Sequence, residues 1–329
     1  MARKNGFSRR LDAAGFTRDR RRIIYAYLAA ILLFVIGNIV HPGFARLGSI
    51  EAILTVASFV GLVAAGQTFV VLIGGIDLSV PWVLNGAAIL LVTTSLGQDG
   101  RAAFAIIATL AMGAAAGLVN GVVIAYLGVP AVVMTLAMDG IMEGLTLGLS
   151  GGMTCGSCAS YAPQIVQDAV HGNVAGVPAA VILWGIILVI VSFVLAFTTF
   201  GRKTYAIGNN PQASYLAGIN VRLVTVLLYV VSGIFAALAG ILLVGFGGQA
   251  SLGMGDPYLF QSIAAVVIGG VYMLGGRGNY LGTAAGAVTL VALVSVLLAM
   301  NMPDYGRNII YGIVILVLLL LYGREEEAE

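Results

Sequence analysis

Charged side chains are scarce in this sequence. Asp, Glu, Lys and Arg together make up 9% of its 329 residues, whereas hydrophobic residues make up 60%. A soluble protein needs a polar surface to cover its core, and a chain of this composition cannot provide one. The shortage of charge therefore excludes an ordinary soluble domain and predicts an all-α protein that crosses the membrane several times.

Lysine, histidine and cysteine are also rare, with two residues of each. Neither Lys4 nor Lys203 follows a glycine, as a nucleotide-binding P-loop requires. His41 and His171 are too few for a metal cluster. The sequence thus predicts no catalytic residue, no metal site and no cofactor on this chain. If the protein is a pump, another chain must hydrolyse ATP.

The cations that do occur are concentrated at the N-terminus. Eight of them precede the first long apolar run, which is too long for a signal peptide. A basic segment beside a membrane span favours the cytoplasmic side and contact with anionic lipid. We therefore expect residues 1–22 to form a cytoplasmic arm that binds no nucleic acid. Its cations are Arg3, Lys4, Arg9, Arg10, Arg18, Arg20, Arg21 and Arg22.

Ten apolar stretches are long enough to cross about 30 Å of hydrocarbon. An even number of spans returns the acidic tail, residues 323–329, to the side of the basic arm. Of the 16 Lys and Arg residues, all but Arg46, Arg101 and Arg307 then lie inside, as the positive-inside rule favours. Both termini are therefore expected in the cytoplasm. The spans are residues 23–40, 52–73, 79–96, 102–125, 131–149, 178–200, 221–245, 258–275, 281–300 and 307–322.

The fifth predicted span contains two carboxylates. Asp139 and Glu143 are four residues apart and therefore share one helix face. A carboxylate at membrane depth is costly, so it usually lies near a span end, pairs with a neighbour or faces an aqueous path. Two interpretations stay open: a structural role, or proton transfer in a standalone secondary carrier.

Glycine, in contrast, is abundant, with 45 residues. Gly113, Gly117 and Gly121 are spaced four apart, which is typical of helices that pack closely. Two similar stretches, VVLIGGIDLS at residues 70–79 and VVIGGVYMLGG at residues 266–276, each end a span in a glycine pair. They are a hint of an internal repeat, and glycine-interrupted spans in related positions often border a transport path.

The longest predicted outside loop, residues 151–177, contains Cys155 and Cys158. The C-x-x-C spacing occurs at zinc and redox sites, but the chain has no further cysteine and His171 is the sole nearby imidazole. We favour a local disulfide or two free thiols over a metal site, because the loop should face an oxidising compartment.

A polar stretch at residues 201–221, GRKTYAIGNNPQASYLAGINV, separates two long apolar runs. Asn210 suits a helix N-cap, Pro211 the first helical position and Gly218 the residue beyond the end. The pattern predicts a short cytoplasmic helix over residues 211–217, between the sixth and seventh spans. A helix of two turns is marginal alone and needs a partner surface. An ordinary connecting loop is the alternative.

Four motifs occur in the order and spacing of one transporter family. They are GGIDLS (74–79), AAGLVNGVVIAYLGVPAVVMTLAM (115–138), the stretch at 201–221, and IAAVVIGGVYMLGGRGNYLGT (263–283). On these motifs the chain resembles the ribose-type permeases of bacterial ABC importers over residues 23–322. The resemblance implies ten spans in the inner membrane and a second permease copy, identical or not. It also implies two cytoplasmic ATPase subunits that hold ATP and Mg, and an extracytoplasmic binding protein that delivers a sugar or related small polar solute.

The resemblance further implies that the stretch at 201–221 contains a coupling helix that docks in a groove of the ATPase. Arg202 and Lys203 would pair with acidic residues of the ATPase or serve the positive-inside rule alone. The family pattern G-x-N-x-x-A-A-x-x-x-G-I falls around Pro211, on Gly208, Asn210, Ala213, Ser214, Gly218 and Ile219.

Four residues depart from the pattern of the family. Pro81 stands where glycine is usual, Ser214 replaces an alanine, and Glu143 takes the place of an arginine. Asp139 has no counterpart. The reversed charge at Glu143 bears on the solute more than on the fold.

A dimer of such permeases would enclose a cavity that opens alternately to the two sides of the membrane. The polar residues expected to border this path are Gln67, Asp77, Ser79, Asn120, Gln249, Gln261 and Tyr272. Each could instead satisfy backbone groups or neighbouring helices. The alternative function is a proton-driven carrier that uses Asp139 and Glu143, and it differs from an importer in continuing to work without ATP. Whether the solute is a pentose, hexose, polyol or nucleoside stays open.

Overall fold

The computed structural model describes residues 24–152, 161–303, 305–307, 309–310, 312–313 and 316. The predicted basic arm and acidic tail, Cys155 and Cys158 lie outside the described residues, as does most of the tenth predicted span. The described chain is helical apart from one antiparallel hairpin of β1 (Asn173–Val174) and β2 (Val177–Pro178). Its helices are α1 (Ile24–Val40), α2 (Leu47–Val71), α3 (Val80–Ser95), α4 (Asp99–Leu127), α5 (Ala131–Ser150), α6 (Gln164–His171), α7 (Ala179–Phe197), α8 (Thr199–Asn209), α9 (Pro211–Leu216), α10 (Val221–Gly247), α11 (Asp256–Ile268) and α12 (Tyr280–Ala299).

Six of these helices are long and apolar enough to cross a membrane: α2, α4, α5, α7, α10 and α12. The apolar helices α1, α3 and α11 are shorter. With 13 residues, α11 reaches only about 20 Å. The apolar run at residues 258–275 is therefore not one continuous helix, as its length suggested. It breaks at Gly269 and Gly270, because Gly270 has a φ of +81°, which L side chains rarely adopt.

The centre of the bundle is α2, which is buried on every side from Ala57 to Val71. A helix that is apolar all round belongs in a protein interior. It packs against α7, α10, α11 and α12, while α4 packs along α10 and α3, and α5 covers α3. The elements that follow α2 in the chain are thus arranged around it.

Close packing of α4 on α10 confirms the prediction from the glycines spaced four apart. A Cβ at Gly117 would collide with the carbonyl oxygen of Tyr229. Gly113 and Gly121 lie equally close to the backbone of Gly233 and Val226. Helices without side chains at their contact can approach until their backbones touch, which replaces hydrophobic driving force with van der Waals contact in a membrane.

This contact predicts a specific sensitivity of α4. We expect Gly117→Ala to lower the free energy of unfolding by about 1–3 kcal/mol, because the added methyl group forces the two backbones apart. Gly140→Ala in α5 is the matched control, since a Cβ there meets no atom within 4 Å. Thermal unfolding in detergent measures both, and equal melting temperatures for the two variants would contradict the prediction.

Candidate functional site

A buried carboxylate, Asp77, collects the polar groups in the middle of the bundle. Asp77 is 1% exposed. Its Oδ1 accepts hydrogen bonds from the backbone N (3.0 Å) and Oγ (2.6 Å) of Ser79, and its Oδ2 accepts one from Ser232 Oγ (2.7 Å). Gln67 donates to the Asp77 carbonyl, and Asn120 donates to Ser79 Oγ at 3.0 Å. This Asp77 network joins α2, α3, α4 and α10.

Four of the seven residues predicted to border a solute path lie in the Asp77 network. Gln67 and Asn120 are 0% exposed and Ser79 is 2% exposed. Polar groups inside a membrane protein are costly unless they bond to one another, and these do. In this conformation they hold four helices together and line no open surface.

The Asp77 network lies deep in the bundle because the chain turns back after α2. Asn120 lies about 10 Å before the end of α4, and Ser232 lies about 16 Å after the start of α10, at 1.5 Å per residue. α3 begins at this depth and then runs to the end of the bundle where α4 starts. α3 is therefore a discontinuous helix that crosses only part of the bundle.

The first turns of α3 and α11 meet at the same depth. A Cβ at Gly255, which precedes α11, would collide with the carbonyl oxygen of Pro81 in α3. From α5, the Asp139 carboxylate accepts a hydrogen bond from the Trp82 N–H at 3.2 Å. The first N–H groups of a helix carry partial positive charge, so a carboxylate is stabilised there. Asp139 thus has the kind of neighbour that a structural role requires.

Two further carboxylates lie beside Asp139. Glu143 is one turn further along α5, and Asp256 is the first residue of α11. The three are close enough for their charges to interact. Asp139 is half-buried, whereas Glu143 and Asp256 are exposed on the protomer. Because lipid is a costly neighbour for a carboxylate, this acidic surface is expected to face water or another protein chain.

The other three predicted path residues lie apart from the Asp77 network. Gln249 is exposed in the loop between α10 and α11, where its backbone pairs with that of Tyr161. Gln261 in α11 and Tyr272 in the loop after α11 are half-buried. The Tyr272 N–H donates to the Arg277 carbonyl at 2.9 Å, which closes that loop on itself. The structure therefore divides the seven residues into a buried group and a group nearer the surface.

The polar stretch between α7 and α10 forms two helices. α8 follows α7 directly, and α9 follows α8 after one extended residue, Asn210. The Asn210 side chain accepts a hydrogen bond from the Ala213 N–H at 2.9 Å, and Pro211 is the first helical residue. Gly218 has a φ of +83° beyond the end of α9, and Ile219 then packs against the core. The capping pattern in the sequence thus places α9, whereas α8 is longer and more regular than a polar loop.

α9 presents large apolar side chains to its surroundings. Ser214 is its only buried residue, while Tyr215 and Leu216 are 71% and 80% exposed. Arg202 and Lys203 are exposed on α8. Exposed apolar side chains beside cations are typical of a surface that contacts another protein.

Some residues of the site carried little signal in the sequence. Ser232 is one of many small residues in α10, so nothing marked it as a partner of Asp77. In the orientation that its neighbours require, the Asn85 amide donates to the Ser251 carbonyl (2.9 Å) and accepts from the Gly253 N–H (3.1 Å). Asp256, followed by proline, does match a helix-start pattern and could have been found.

In the outside loop, His171 has a structural contact. Its Nε2 lies 3.0 Å from the Phe246 carbonyl, to which it donates, and its ring stacks on the Phe246 ring with centroids 5.6 Å apart. This contact attaches α6 to the end of α10 and leaves the Nε2 atom engaged.

Comparison with known proteins gives a match over most of the chain. The sequence model of a family described as branched-chain amino acid transport system / permease component matches residues 49–319. The ribose import permease protein RbsC of Escherichia coli (strain K12) is 33% identical over 301 residues, which cover 91% of this chain and 93% of that protein. RbsC of Haemophilus influenzae is 32% identical, over 90% of this chain and 91% of its own. The autoinducer 2 import system permease protein LsrC of Escherichia coli (strain K12 / DH10B) is 32% identical, over 93% and 88%. No solved structure gives a significant match.

The Asp77 network predicts the effect of removing its centre. Asp77→Ala leaves the hydroxyl groups of Ser79 and Ser232 without their acceptor, at about 1–3 kcal/mol for each buried donor. We expect a lower melting temperature in detergent, with a smaller loss for Ser232→Ala. Asp168→Ala, which removes an exposed carboxylate from α6, is the control and should change little. Equal melting temperatures for Asp77→Ala and Asp168→Ala would contradict the network's role.

Proposed function

The chain belongs to the family described as branched-chain amino acid transport system permease component, and we propose that it conducts a sugar or a related small polar solute. As a member it is a multi-pass permease subunit of an ABC importer in the bacterial inner membrane, and it is not an enzyme. Its similarity to ribose and autoinducer 2 import permeases over at least 90% of the chain carries the choice of solute class. The proton-driven carrier has no such support.

We infer ten spans with both termini in the cytoplasm. Within the described residues, helices occupy nine of the predicted positions, namely α1 to α5, α7 and α10 to α12. Residues 307–322 would supply the tenth. In this arrangement α8 and α9 lie in the cytoplasm, and α6 with the β1–β2 hairpin lies outside, where a binding protein would deliver the solute.

In this proposal α9 is the coupling helix that docks on a cytoplasmic ATPase. Two such ATPase subunits, each holding ATP and Mg, would serve a pair of permease copies. The support is physical: α9 is short, capped by Asn210 and poorly covered by its own chain, with Tyr215 and Leu216 exposed. A helix of this length gains most of its stability from a partner surface. Arg202 and Lys203 would add attraction to acidic residues of the ATPase.

The solute path in this proposal follows the surface where the first turns of α3 and α11 meet. Transporters often form solute sites from discontinuous helices near the middle of the membrane. Gln261 and Tyr272 are the predicted path residues nearest to such a surface, and the Asp77 network supports it from behind. A second permease copy would enclose this surface, which gives the exposed Glu143 an aqueous cavity in place of lipid.

The energy source separates the importer from the carrier. We expect proteoliposomes that contain the permease, its ATPase and its binding protein to take up a ribose-type sugar only with ATP, and to ignore branched-chain amino acids. A proton gradient without ATP should move no solute, because no proton relay is required. Uptake by the permease alone on a proton gradient, lost in Asp139→Asn or Glu143→Gln, would show that the carrier is correct.

Docking of α9 is tested by copurification. Leu216→Asp places a charge on the most exposed apolar residue of α9, so we expect the tagged permease to retain at least roughly tenfold less ATPase, the loss of one well-packed contact. Val174→Asp is the matched control, because Val174 is 60% exposed on the β1–β2 hairpin, on the other proposed side. ATPase retention that Leu216→Asp leaves unchanged would refute the docking role.

A further inference from the structure

Two loops rich in glycine meet inside the bundle. The first glycine loop, residues 72–79, follows α2, and the second glycine loop, residues 269–279, follows α11. They are the two stretches whose sequences resemble each other. The Gly276 N–H of the second loop donates to the Leu72 carbonyl of the first at 2.8 Å. A Cβ at Gly275 would lie 2.8 Å from the backbone nitrogen of Gly74, so the two loops are in backbone contact.

α8 lies directly on the junction of the two glycine loops. Gly208 of α8 touches both, because a Cβ there would collide with the carbonyl oxygen of Leu72 and the backbone nitrogen of Gly276. Only a residue without a side chain allows this approach. The contact brings the last turn of α8, which immediately precedes α9, onto the backbone of both loops.

Two side chains of α8 bond to the second glycine loop. The Tyr205 hydroxyl donates to the Gly278 carbonyl at 2.8 Å. The Asn209 Nδ2 donates to the Tyr205 carbonyl at 2.8 Å and to the Gly276 carbonyl at 3.4 Å. Neither residue belongs to the family pattern that identified the coupling segment. Both hydrogen bonds to the loop end on backbone carbonyls, so they hold the loop whatever its side chains do.

Each glycine loop leads to a part of the bundle that would have to move during transport. The first loop ends in the Asp77 network and in the first turn of α3. The second loop joins α11 to α12, where the Asn279 side chain accepts a hydrogen bond from the Leu281 N–H at 2.9 Å. Gly275 and Gly276 have φ values of +92° and +79°, so this loop turns sharply between them. A displacement of α8 therefore reaches the partial helices α3 and α11 through backbone contacts.

We propose that Tyr205 and Asn209 are positioning residues that transmit movement of α9 to the two glycine loops. This inference rests on the proposed docking of α9. Only Asn210 separates α8 from α9, and its side chain caps α9, so the two helices move together. The Tyr205 and Asn209 hydrogen bonds then make the second glycine loop follow α8. Without them α8 can tilt under the ATPase while the loop stays in place.

The test uses the complete importer, with ATPase and binding protein, in proteoliposomes. Tyr205→Phe removes one hydroxyl, and Asn209→Asp replaces a donor with a carboxylate that faces two carbonyl oxygens. We expect each to lower the number of solute molecules moved per ATP by roughly threefold to tenfold, the equivalent of one net hydrogen bond. ATPase copurification should equal that of the wild type, since α9 is unchanged.

The matched control is Tyr126→Phe at the end of α4. The Tyr126 hydroxyl makes no hydrogen bond within the described chain, and its ring, which phenylalanine keeps, lies 5.4 Å from the Arg222 guanidinium carbon. Wild-type solute per ATP in Tyr205→Phe and Asn209→Asp would overturn the inference, as would loss of ATPase copurification in these variants. The Leu216→Asp copurification decides the docking of α9 separately, so the two ideas fail on different measurements.

Discussion

The need to satisfy polar groups away from water determines how this bundle is built. After α2 the chain turns back into the protein, and the residues of the first glycine loop cannot form helical hydrogen bonds there. Asp77 supplies the acceptors that this break requires, since it binds the N–H and hydroxyl of Ser79 and the hydroxyl of Ser232. A broken helix is tolerated at membrane depth only where the surrounding protein provides such partners. The positions of α3, α4 and α10 all follow from this arrangement.

Glycine makes the arrangement sterically feasible. The contact of α4 with α10 and the contact of α8 with both glycine loops each depend on positions where a Cβ would collide with backbone atoms. Lipid offers no hydrophobic driving force between helices, so close backbone approach supplies much of the attraction. The abundance of glycine is therefore part of the architecture and not a sign of flexibility.

The two parts of the molecule that bear on transport are connected by short paths. The acidic surface at the first turns of α3 and α11 lies next to the Asp77 network, and that network is continuous with the first glycine loop. The same loop touches α8, and α8 leads into α9. In the proposed importer, a partner that grips α9 would thus act on the middle of the bundle through packed backbone, with no long flexible segment in between.

Much of the fold could be predicted from the sequence because apolar runs and capping residues are local signals. The runs placed α2, α4, α5, α7, α10 and α12, and Asn210 with Pro211 placed the start of α9. Composition likewise determined that the chain lies in a membrane. The repeat of four in Gly113, Gly117 and Gly121 indicated a close helix contact, although not its partner.

Only the tertiary structure decided what the polar residues do. Periodicity cannot tell a side chain that lines a path from one that bonds to a neighbouring helix, because both face away from lipid. Gln67, Asp77, Ser79 and Asn120 belong to one network only because the chain folds back after α2 and brings α4 and α10 beside it. Likewise, Asp139 meets the first turn of α3 through packing of distant segments. Local patterns determined where the helices are, and long-range contacts determined which of their polar groups meet.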